Sequence, residues 1–346
     1  MPGMILTGDV NLMHIDDARV PFGRVRDELR AADIVFSNLE CCLYDPPHAH
    51  SLEDEGFFAA PGIGGEALCD AGIGVVGIAN NVNYGAAAIA ASIYRLGELG
   101  IPFTGAGANA AAARAPAIVE RHGIRYGFLQ RSSVYWPTNH EAQKDAAGIA
   151  VIRGHTAYHV PVFRTGIGAP PPNRPGVAPE IITWADPDYL GWFRDDIAAL
   201  RPRVDVLVAS CHWGLGKEVL QYMKEIAHAA IDAGADIVVG HGPHYSLAVE
   251  VYKGRPIFYG LGSFSFHTGH GGRRHDSWVG MMARIAAGKG GVEAAAFQFV
   301  RHNDSNETYL CRLADEAGTL DEIAKASMPL GTRLTPQGDQ VSVGLG

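Results

Sequence analysis

The amino-acid sequence predicts an α/β protein. Short apolar, β-branched runs alternate along the chain with alanine-rich stretches of helical character. The apolar runs are continuous, which is typical of strands that helices bury on both faces. Of the 346 residues, 47% are hydrophobic and 19% are charged, a composition that can form a sizeable core. We expect a single domain over residues 1–330 and a C-terminal tail with little pattern at 331–346.

Five apolar runs are predicted strands, and three of the stretches between them are predicted helices. The strands cover residues 4–10, 33–39, 73–79, 204–210 and 235–239. The helices cover residues 22–32, 86–99 and 218–233, and Gly234 is a C-cap signal for the last of them.

Glycine-containing turns predict two hairpins, and two other stretches predict long loops. Residues 118–129 would turn at His122-Gly123, and residues 247–259 would turn at Lys253-Gly254. Residues 279–285 and 292–300 are predicted late strands around a glycine-rich turn. The stretches 165–179 and 267–277 are predicted surface loops, and loops of this length often bind ligands.

The charge pattern and the cysteine content narrow the classes of protein. The formal net charge is −9 and there is no basic, aromatic-interleaved stripe, so we do not expect a nucleic-acid partner. No apolar run is long enough to cross a bilayer, and no signal peptide is visible at the N-terminus. The five cysteines show no CxxC spacing, which favours reduced thiols. We therefore expect a cytoplasmic protein without a membrane anchor.

Polar side chains that can bind metal ions follow the predicted strands. Most of these residues alone have an ordinary explanation. Asp9 and the two asparagines could be turn or helix-cap residues, Glu40 a surface charge and His212 a structural histidine. Ligand sites of open parallel sheets, however, lie outside the carboxyl ends of the strands, and here five successive strands each bring such a side chain to that edge. The candidates are Asp9, Glu40, Asn80, Asn81, His212, His241 and His244.

Several motifs resemble those of one protein family. The segments GDV, SNLE, AGIGVVGIANNVNYG, ASCHWG, DAGADIVVGHGPH and PIFYGLGSFSF occur in the order and spacing of CapA-type proteins of poly-γ-glutamate (capsule) biosynthesis. Such proteins resemble the calcineurin-like metallophosphoesterases, which are sandwiches of two β-sheets flanked by helices, with a dinuclear metal centre at the strand ends. The resemblance implies that the metal ligands are Asp9, Glu40, Asn81, His212, His241 and His244.

The chemistry of these ligands agrees with the implied centre. Carboxylate, amide and imidazole groups together suit Mn, Fe, Zn or Co better than Ca or Mg. Two such divalent transition metal ions lower the pKa of a bound water molecule and polarise the bond that it attacks.

The sequence departs from the family pattern at three positions. The family usually reads Asn-Asn-His where this chain has Val82, and valine can neither give a proton nor donate a hydrogen bond. A family glutamate near the HWG motif is replaced, and Glu218 either takes over a catalytic role or only begins a helix. Ser263 stands where the family has asparagine, and it is a candidate for substrate binding together with Asn80.

The loop at 267–277 offers groups that could compensate. His270 and His275 are candidates for the missing acid or base, and Arg273 and Arg274 for binding a substrate carboxylate. The alternative is a solvated polar loop, which also contains His267.

Other reactive residues are weaker candidates. Arg131 and His140 could act in the same way, whereas Cys41, Cys42 and Cys211 are better explained as buried packing residues.

The sequence thus favours a metal-dependent hydrolase acting on a small-molecule or peptide-like substrate that carries carboxylates. The bond would be an amide of the γ-glutamyl type, attacked by a metal-bound hydroxide. Three alternatives stay open. These are a metal-dependent peptide epimerase that uses Lys217 with a loop histidine, a protein that handles poly-γ-glutamate without cleaving it, and a phosphoesterase.

Overall fold

The computed structural model describes residues 3–46, 56–160, 176, 178–266, 268–269 and 278–346. Within them the strands are β1 (Met4–Asn11), β2 (Ile34–Leu39), β3 (Cys42–Leu43), β4 (Phe58–Ala59), β5 (Val75–Gly77), β6 (Phe103–Thr104), β7 (Ala106–Gly107), β8 (Ala117–Arg121), β9 (Ile124–Ser132), β10 (Gly148–Ile149), β11 (Gly154–His159), β12 (Glu180–Ala185), β13 (Val206–His212), β14 (Ile237–His241), β15 (Val249–Tyr252), β16 (Arg255–Phe258), β17 (Ser263–Phe266), β18 (Gly280–Gly288), β19 (Gly291–His302), β20 (Thr308–Leu310), β21 (Leu334–Gln337) and β22 (Gln340–Val343).

Seven α-helices accompany these strands in the described residues. They are α1 (Arg26–Arg30), α2 (Pro61–Ala71), α3 (Ala86–Glu98), α4 (Ala110–Arg114), α5 (Pro187–Leu200), α6 (Gln221–Asp232) and α7 (Ala317–Ser327). None of them is long and apolar enough to cross a membrane.

Two large sheets face each other. The ten-stranded sheet has the order β21-β22-β19-β18-β1-β2-β5-β6, with β17 beside β1 and β20 beside β19. The six-stranded sheet has the order β15-β16-β14-β13-β9-β8. Their central strands are parallel, as continuous apolar runs predict. Between the sheets, Phe36 of β2 stacks on Phe128 of β9 with ring centroids 5.1 Å apart.

Helices cover the outer face of each sheet. Leu29 of α1, Leu68 of α2 and Leu96 of α3 are buried in one apolar cluster with strand residues of the larger sheet. Phe193 of α5 and Ile226 of α6 are buried in another with the smaller sheet. The predicted class, a sandwich of two β-sheets flanked by helices, is therefore confirmed.

The local predictions hold most closely at the tight turns. Strands β8 and β9 turn at His122-Gly123, and β15 and β16 turn at Lys253-Gly254. All four turn residues have positive φ, between 51° and 76°, as the two-residue turns of hairpins require. Gly234 likewise has φ 117° just after α6.

Several predicted boundaries were wrong. Strand β13 covers Val206–His212 instead of 204–210, and β14 covers Ile237–His241 instead of 235–239. Helix α1 covers only Arg26–Arg30 instead of 22–32, and α6 begins at Gln221 instead of 218. Residues after 330 do not lack regular structure, because β21 and β22 form a hairpin that adds to the larger sheet through β19. The predicted loop at 165–179 lies almost wholly outside the described residues.

Candidate metal centre

The two sheets bring the carboxyl ends of their strands to one place. In the larger sheet, Asp9 of β1 is the register partner of Asn38 in β2 and of Ser263 in β17. In the smaller sheet, His212 and His241 are register partners at the ends of the parallel strands β13 and β14. The strand order therefore gathers side chains that are more than 200 residues apart in the sequence, such as Asp9 and His241.

Asp9, Glu40 and His244 form the tightest group of possible ligands. Each offers one donor atom within 4.8 Å of the others. The Nδ1 atom of His244 lies 3.1 Å from Asp9 Oδ2, and its Nε2 atom lies 3.7 Å from Glu40 Oε1. Both carboxylates are buried, whereas His244 is partly accessible. The three donor atoms are close enough to bind one ion together, and His244 is the member of the group that solvent reaches.

His241 is buried without hydrogen bonds to its ring. Its Nδ1 atom lies 3.3 Å from Asp9 Oδ1, but neither ring nitrogen makes a hydrogen bond to any described residue. Leaving a polar group buried and unpaired costs about 1–3 kcal/mol. A buried imidazole in this state beside the Asp9 carboxylate fits the requirements of a metal ligand.

His212 and Asn81 form a second pair of possible ligands. The Nε2 atom of His212 lies 2.8 Å from Asn81 Oδ1. Burial lowers the pKa of His212 to about 3, so the ring is neutral at physiological pH. Neutral imidazole is the form that binds metal ions.

The two buried carboxylates, Asp9 and Glu40, would repel each other if both were ionised. Burial, together with the nearby charge of Asp9, raises the pKa of Glu40 well above its usual value. Burial also raises the pKa of Asp9, but the adjacent His241 and His244 rings outweigh that effect and hold it well below its usual value. A divalent cation between the two groups would let both ionise, so the donor set fits transition-metal ions.

Asn38 is a site residue that the sequence analysis missed. Its Nδ2 donates to Asp9 Oδ1 at 2.8 Å and to Glu40 Oε2 at 3.2 Å. One signal was available, because Asn38 stands two residues before Glu40, and alternate residues of a strand share a face. Trp278, also missed, stacks on His244 with ring centroids 4.5 Å apart.

Of the two described candidates for substrate contact, Ser263 lies beside His244, whereas Asn80 is held in the core by hydrogen bonds. Ser263 Oγ is 3.4 Å from His244 Nδ1. Asn80 is fully buried and its Nδ2 donates to Leu39 O at 2.9 Å. Its Oδ1 accepts from the backbone of Asn83 at 3.0 Å. Both ends of the Asn80 amide are thus occupied, which argues against the predicted substrate contact.

Glu218 does not reach the centre. It is exposed in a bend before α6. Its neighbour Lys217 extends away toward α7 and donates to Glu322 Oε2 at 3.0 Å. The predicted catalytic role of Glu218 is therefore not supported by its position.

The loop candidates His267, His270, Arg273, Arg274 and His275 lie outside the described residues. Their roles stay predictions.

Arg131 and the three candidate cysteines are buried packing residues. Arg131 is buried, forms an ion pair with Asp196 and lies over the ring of Phe193. Burial raises the pKa of the Cys41 thiol to about 12 and also raises those of Cys42 and Cys211. The thiols therefore stay protonated, in agreement with the prediction that they are packing residues.

His140 braces the loop that carries Asn81, and this contact predicts a pH dependence. His140 Nε2 lies 2.9 Å from Asn83 O, and its Nδ1 accepts from Trp136 N at 3.0 Å, so the bracing ring is neutral. Burial lowers its pKa to about 4. Because this pKa is below the unfolded value, about 6.5, the stability that the neutral ring contributes is present above pH ~6.5 and lost as the pH falls toward 4.

Wild type should therefore have a higher free energy of unfolding than His140→Gln at pH 7. We expect this difference to shrink by up to roughly 3 kcal/mol between pH 7 and pH 4. Urea unfolding at several pH values measures it, and the same change at the exposed His159 is the control. A gap that stays constant over this range would contradict the assigned role of the neutral ring.

Comparison with known proteins finds several similar chains. The PGA biosynthesis protein CapA of Bacillus subtilis (strain 168) is 40% identical over 99 residues, 28% of this chain and 24% of that protein. The "probable polyglutamine synthesis accessory protein" of Mycobacterium tuberculosis (strain CDC 1551 / Oshkosh) is 30% identical over 196 residues, 54% of this chain and 44% of the relative. The capsule biosynthesis protein CapA of Bacillus anthracis is 43% identical over 67 residues, 19% and 16% of the two chains.

This chain spans less than half the length of each of these three relatives. A family model covers much more of it and matches residues 3–268, which include every described residue of the candidate centre except Trp278. The model describes the bacterial capsule synthesis protein PGA_cap, and the chain belongs to that family.

Proposed function

We propose that the protein is a metal-dependent hydrolase that holds two divalent transition-metal ions. The observation that carries the proposal is His241, a fully buried imidazole whose two nitrogens lack hydrogen bonds and whose Nδ1 lies 3.3 Å from Asp9 Oδ1. Such an arrangement is costly in a protein that binds nothing there. A purely structural histidine of this kind would normally have a hydrogen-bond partner.

The donor atoms divide into groups around Asp9. Its Oδ1 faces His241 and its Oδ2 faces His244, at 3.3 and 3.1 Å from the respective Nδ1 atoms. Each oxygen of Asp9 would therefore be available to a different ion. Glu40 adds donors on the His244 side, and His212 with Asn81 adds two more groups at the ends of the other strands. Two ions bound here would acidify a water molecule and polarise the bond under attack.

The residues around the donors favour an amide bond over a phosphate ester. Val82 lies just after Asn81 and is fully buried in an apolar cluster, so it supplies no proton to a leaving oxygen. Two relatives are named for PGA biosynthesis and polyglutamine synthesis. By analogy with them, we propose a γ-glutamyl-type amide in a substrate that carries carboxylates. Ser263, beside His244, is the described polar group best placed to contact it.

A protein that handles a glutamyl polymer without cleaving it is a second candidate. The word "accessory" in the name of the mycobacterial relative favours it. The net charge of −9 weighs against it, because an acidic polymer would be repelled. Epimerisation through Lys217 is less favoured, because that side chain is exposed and paired with Glu322.

Metal reconstitution combined with turnover assays tests the proposal. We expect metal-free protein to take up about two equivalents of Mn, Fe, Co or Zn, as a dinuclear hydrolase requires. The loaded protein should cleave γ-glutamyl amides and act poorly on aryl phosphates, since general-acid help to a leaving oxygen is typically worth ~10²–10⁴-fold.

Elemental analysis and product detection by mass spectrometry measure the two parts. Polymer binding without turnover would favour the handling protein. Failure to retain any of the four metals would refute the proposed function.

A further inference from the structure

A chain of buried amides crosses the gap between the two sheets beneath the candidate centre. Phe36 of β2 and Phe128 of β9 stack between the sheets, and two residues further along the same strands come Asn38 and Gln130. Because alternate residues of a strand share a face, these two amides form the next layer above the aromatic pair. Gln130 Nε2 donates to Asn38 Oδ1 at 3.0 Å. The layer of Asn38 and Gln130 is polar, whereas the layer of Phe36 and Phe128 is apolar. The polar layer is the one in contact with the carboxylates.

The direction of this hydrogen-bond chain is fixed by the backbone. The N–H of Ala79 donates to Gln130 Oε1 at 2.6 Å, and a backbone N–H can only donate. The oxygen of Gln130 must therefore face Ala79. Its Nε2 then faces the other way, toward Asn38 and toward Ser210 Oγ at 3.2 Å.

The orientation of Gln130 in turn fixes that of Asn38. With its Oδ1 accepting from Gln130 and also from Asn80 Nδ2 at 3.2 Å, the NH₂ group of Asn38 faces the carboxylates. That group donates to Asp9 Oδ1 and Glu40 Oε2. A flipped Asn38 would place an oxygen against two carboxylates, which is repulsive.

The packing around Gln130 leaves little room for any other arrangement. A side chain at Gly77 of β5 would place its Cβ 2.5 Å from the Gln130 amide, so glycine there lets the strand pass directly over it. At Gly105, where φ is 105°, an added Cβ would lie 3.0 Å from Gln130 Oε1. Two backbone segments thus enclose the amide closely and hold it in place.

We propose that Gln130 is a positioning residue for the metal centre, acting through Asn38 to hold the Asp9 and Glu40 carboxylates in the orientation that binds the ions. This inference rests on the proposed metal function and extends it to a residue on the other sheet. If Gln130 acts in this way, the affinity for metal depends on the hydrogen bond between Gln130 of the smaller sheet and Asn38 of the larger one. Residues that orient metal ligands typically change metal affinity by ~10–100-fold when they are replaced.

A double-mutant cycle on metal affinity tests the proposal. We expect Gln130→Met, which keeps the length of the side chain but not its amide, to weaken metal binding ~10–100-fold. In an Asn38→Ala background the same change should add less than about twofold, because its effect passes through Asn38. Ser210→Ala is the matched control, since it removes the other acceptor of Gln130 Nε2, and it should stay within about twofold of wild type.

Titration of metal-free protein with Co²⁺ or Zn²⁺ gives the dissociation constants, and thermal unfolding of the metal-free variants reports their folding. If Gln130→Met fails to fold, Gln130→Glu keeps the volume and the acceptor for Ala79 but cannot donate when ionised, so it should weaken binding to a similar extent. The positioning role would be overturned if Gln130→Met weakened metal binding equally with and without Asn38, or if a folded Gln130 variant kept its metal affinity. Either result would leave the proposed function standing. A wild type that binds neither metal would refute both this inference and the proposed function.

Discussion

Replacing His241 by leucine is expected to remove most of the bound metal without destabilising the metal-free protein. The ring of His241 is wholly buried, and neither nitrogen makes a hydrogen bond. Leucine has a similar volume and no polar atoms, so it removes the unpaired Nε2 group, which costs about 1–3 kcal/mol in the metal-free state. It also removes the imidazole beside the buried Asp9 carboxylate, and these two effects on stability oppose each other. We therefore expect the metal-free variant to unfold at a temperature close to that of metal-free wild type. Elemental analysis and thermal unfolding of both proteins measure the two effects.

A loss of metal without a matching loss of stability separates a ligand from a structural residue. A histidine that only stabilised the fold would lower the unfolding temperature when replaced and would leave metal content unchanged. His155→Leu is the matched control, because His155 is partly exposed and pairs with Asp186 at 2.9 Å. That control should keep its metal. Retention of metal by the His241 variant would remove His241 from the candidate ligands.

The candidate ligands could be predicted because their signal is local. Asp9, Glu40, His212 and His241 each stand at or next to the end of an apolar run, and the parallel order of such runs places their ends at one edge. The turn residues His122-Gly123 and Lys253-Gly254 were predictable for a similar reason, because two adjacent residues with positive φ define the hairpin by themselves.

Asn38 and Gln130 could not be predicted in the same way. They are 92 residues apart, and only the packing of one sheet on the other brings their amides together. A lone asparagine or glutamine in an apolar run gives no indication of its partner. Asn38 Oδ1 accepts from two different segments, which a pattern within one strand cannot show.

The C-terminal hairpin was missed because its pattern is too short. Strands β21 and β22 have four residues each, and Val341 and Val343 are the residues that pack into the core. Two alternating apolar residues are weak evidence for a strand. The strand forms because β19 is long enough to pair with it as well as with β18 and β20. That pairing depends on tertiary structure, which local propensity does not describe.

Replacing Val82 by histidine, the residue that the family resemblance implies at this position, is expected to destabilise the protein instead of creating a phosphoesterase. Val82 is fully buried in the apolar cluster that also contains Phe57 and Phe266. An imidazole at this position would leave polar atoms without partners, at about 1–3 kcal/mol, and would overpack the site at a further 1–3 kcal/mol or so. We expect a loss of roughly 3 kcal/mol in the free energy of unfolding, measured in urea, and no faster hydrolysis of aryl phosphates.

Val82→Leu separates polarity from size, because leucine is larger than valine but apolar. The leucine variant should lose less stability than the histidine variant, and the difference between them reports the unpaired imidazole. The contrary result would be a histidine variant that is as stable as the leucine one and cleaves aryl phosphates faster than wild type. Residue 82 would then face the metals, and phosphoester hydrolysis would be within reach of this site. A histidine variant that kept its stability but gained no activity would show that the apolar cluster can accommodate a polar ring. The lack of phosphoesterase activity in that variant would then have to come from the arrangement of the ligands.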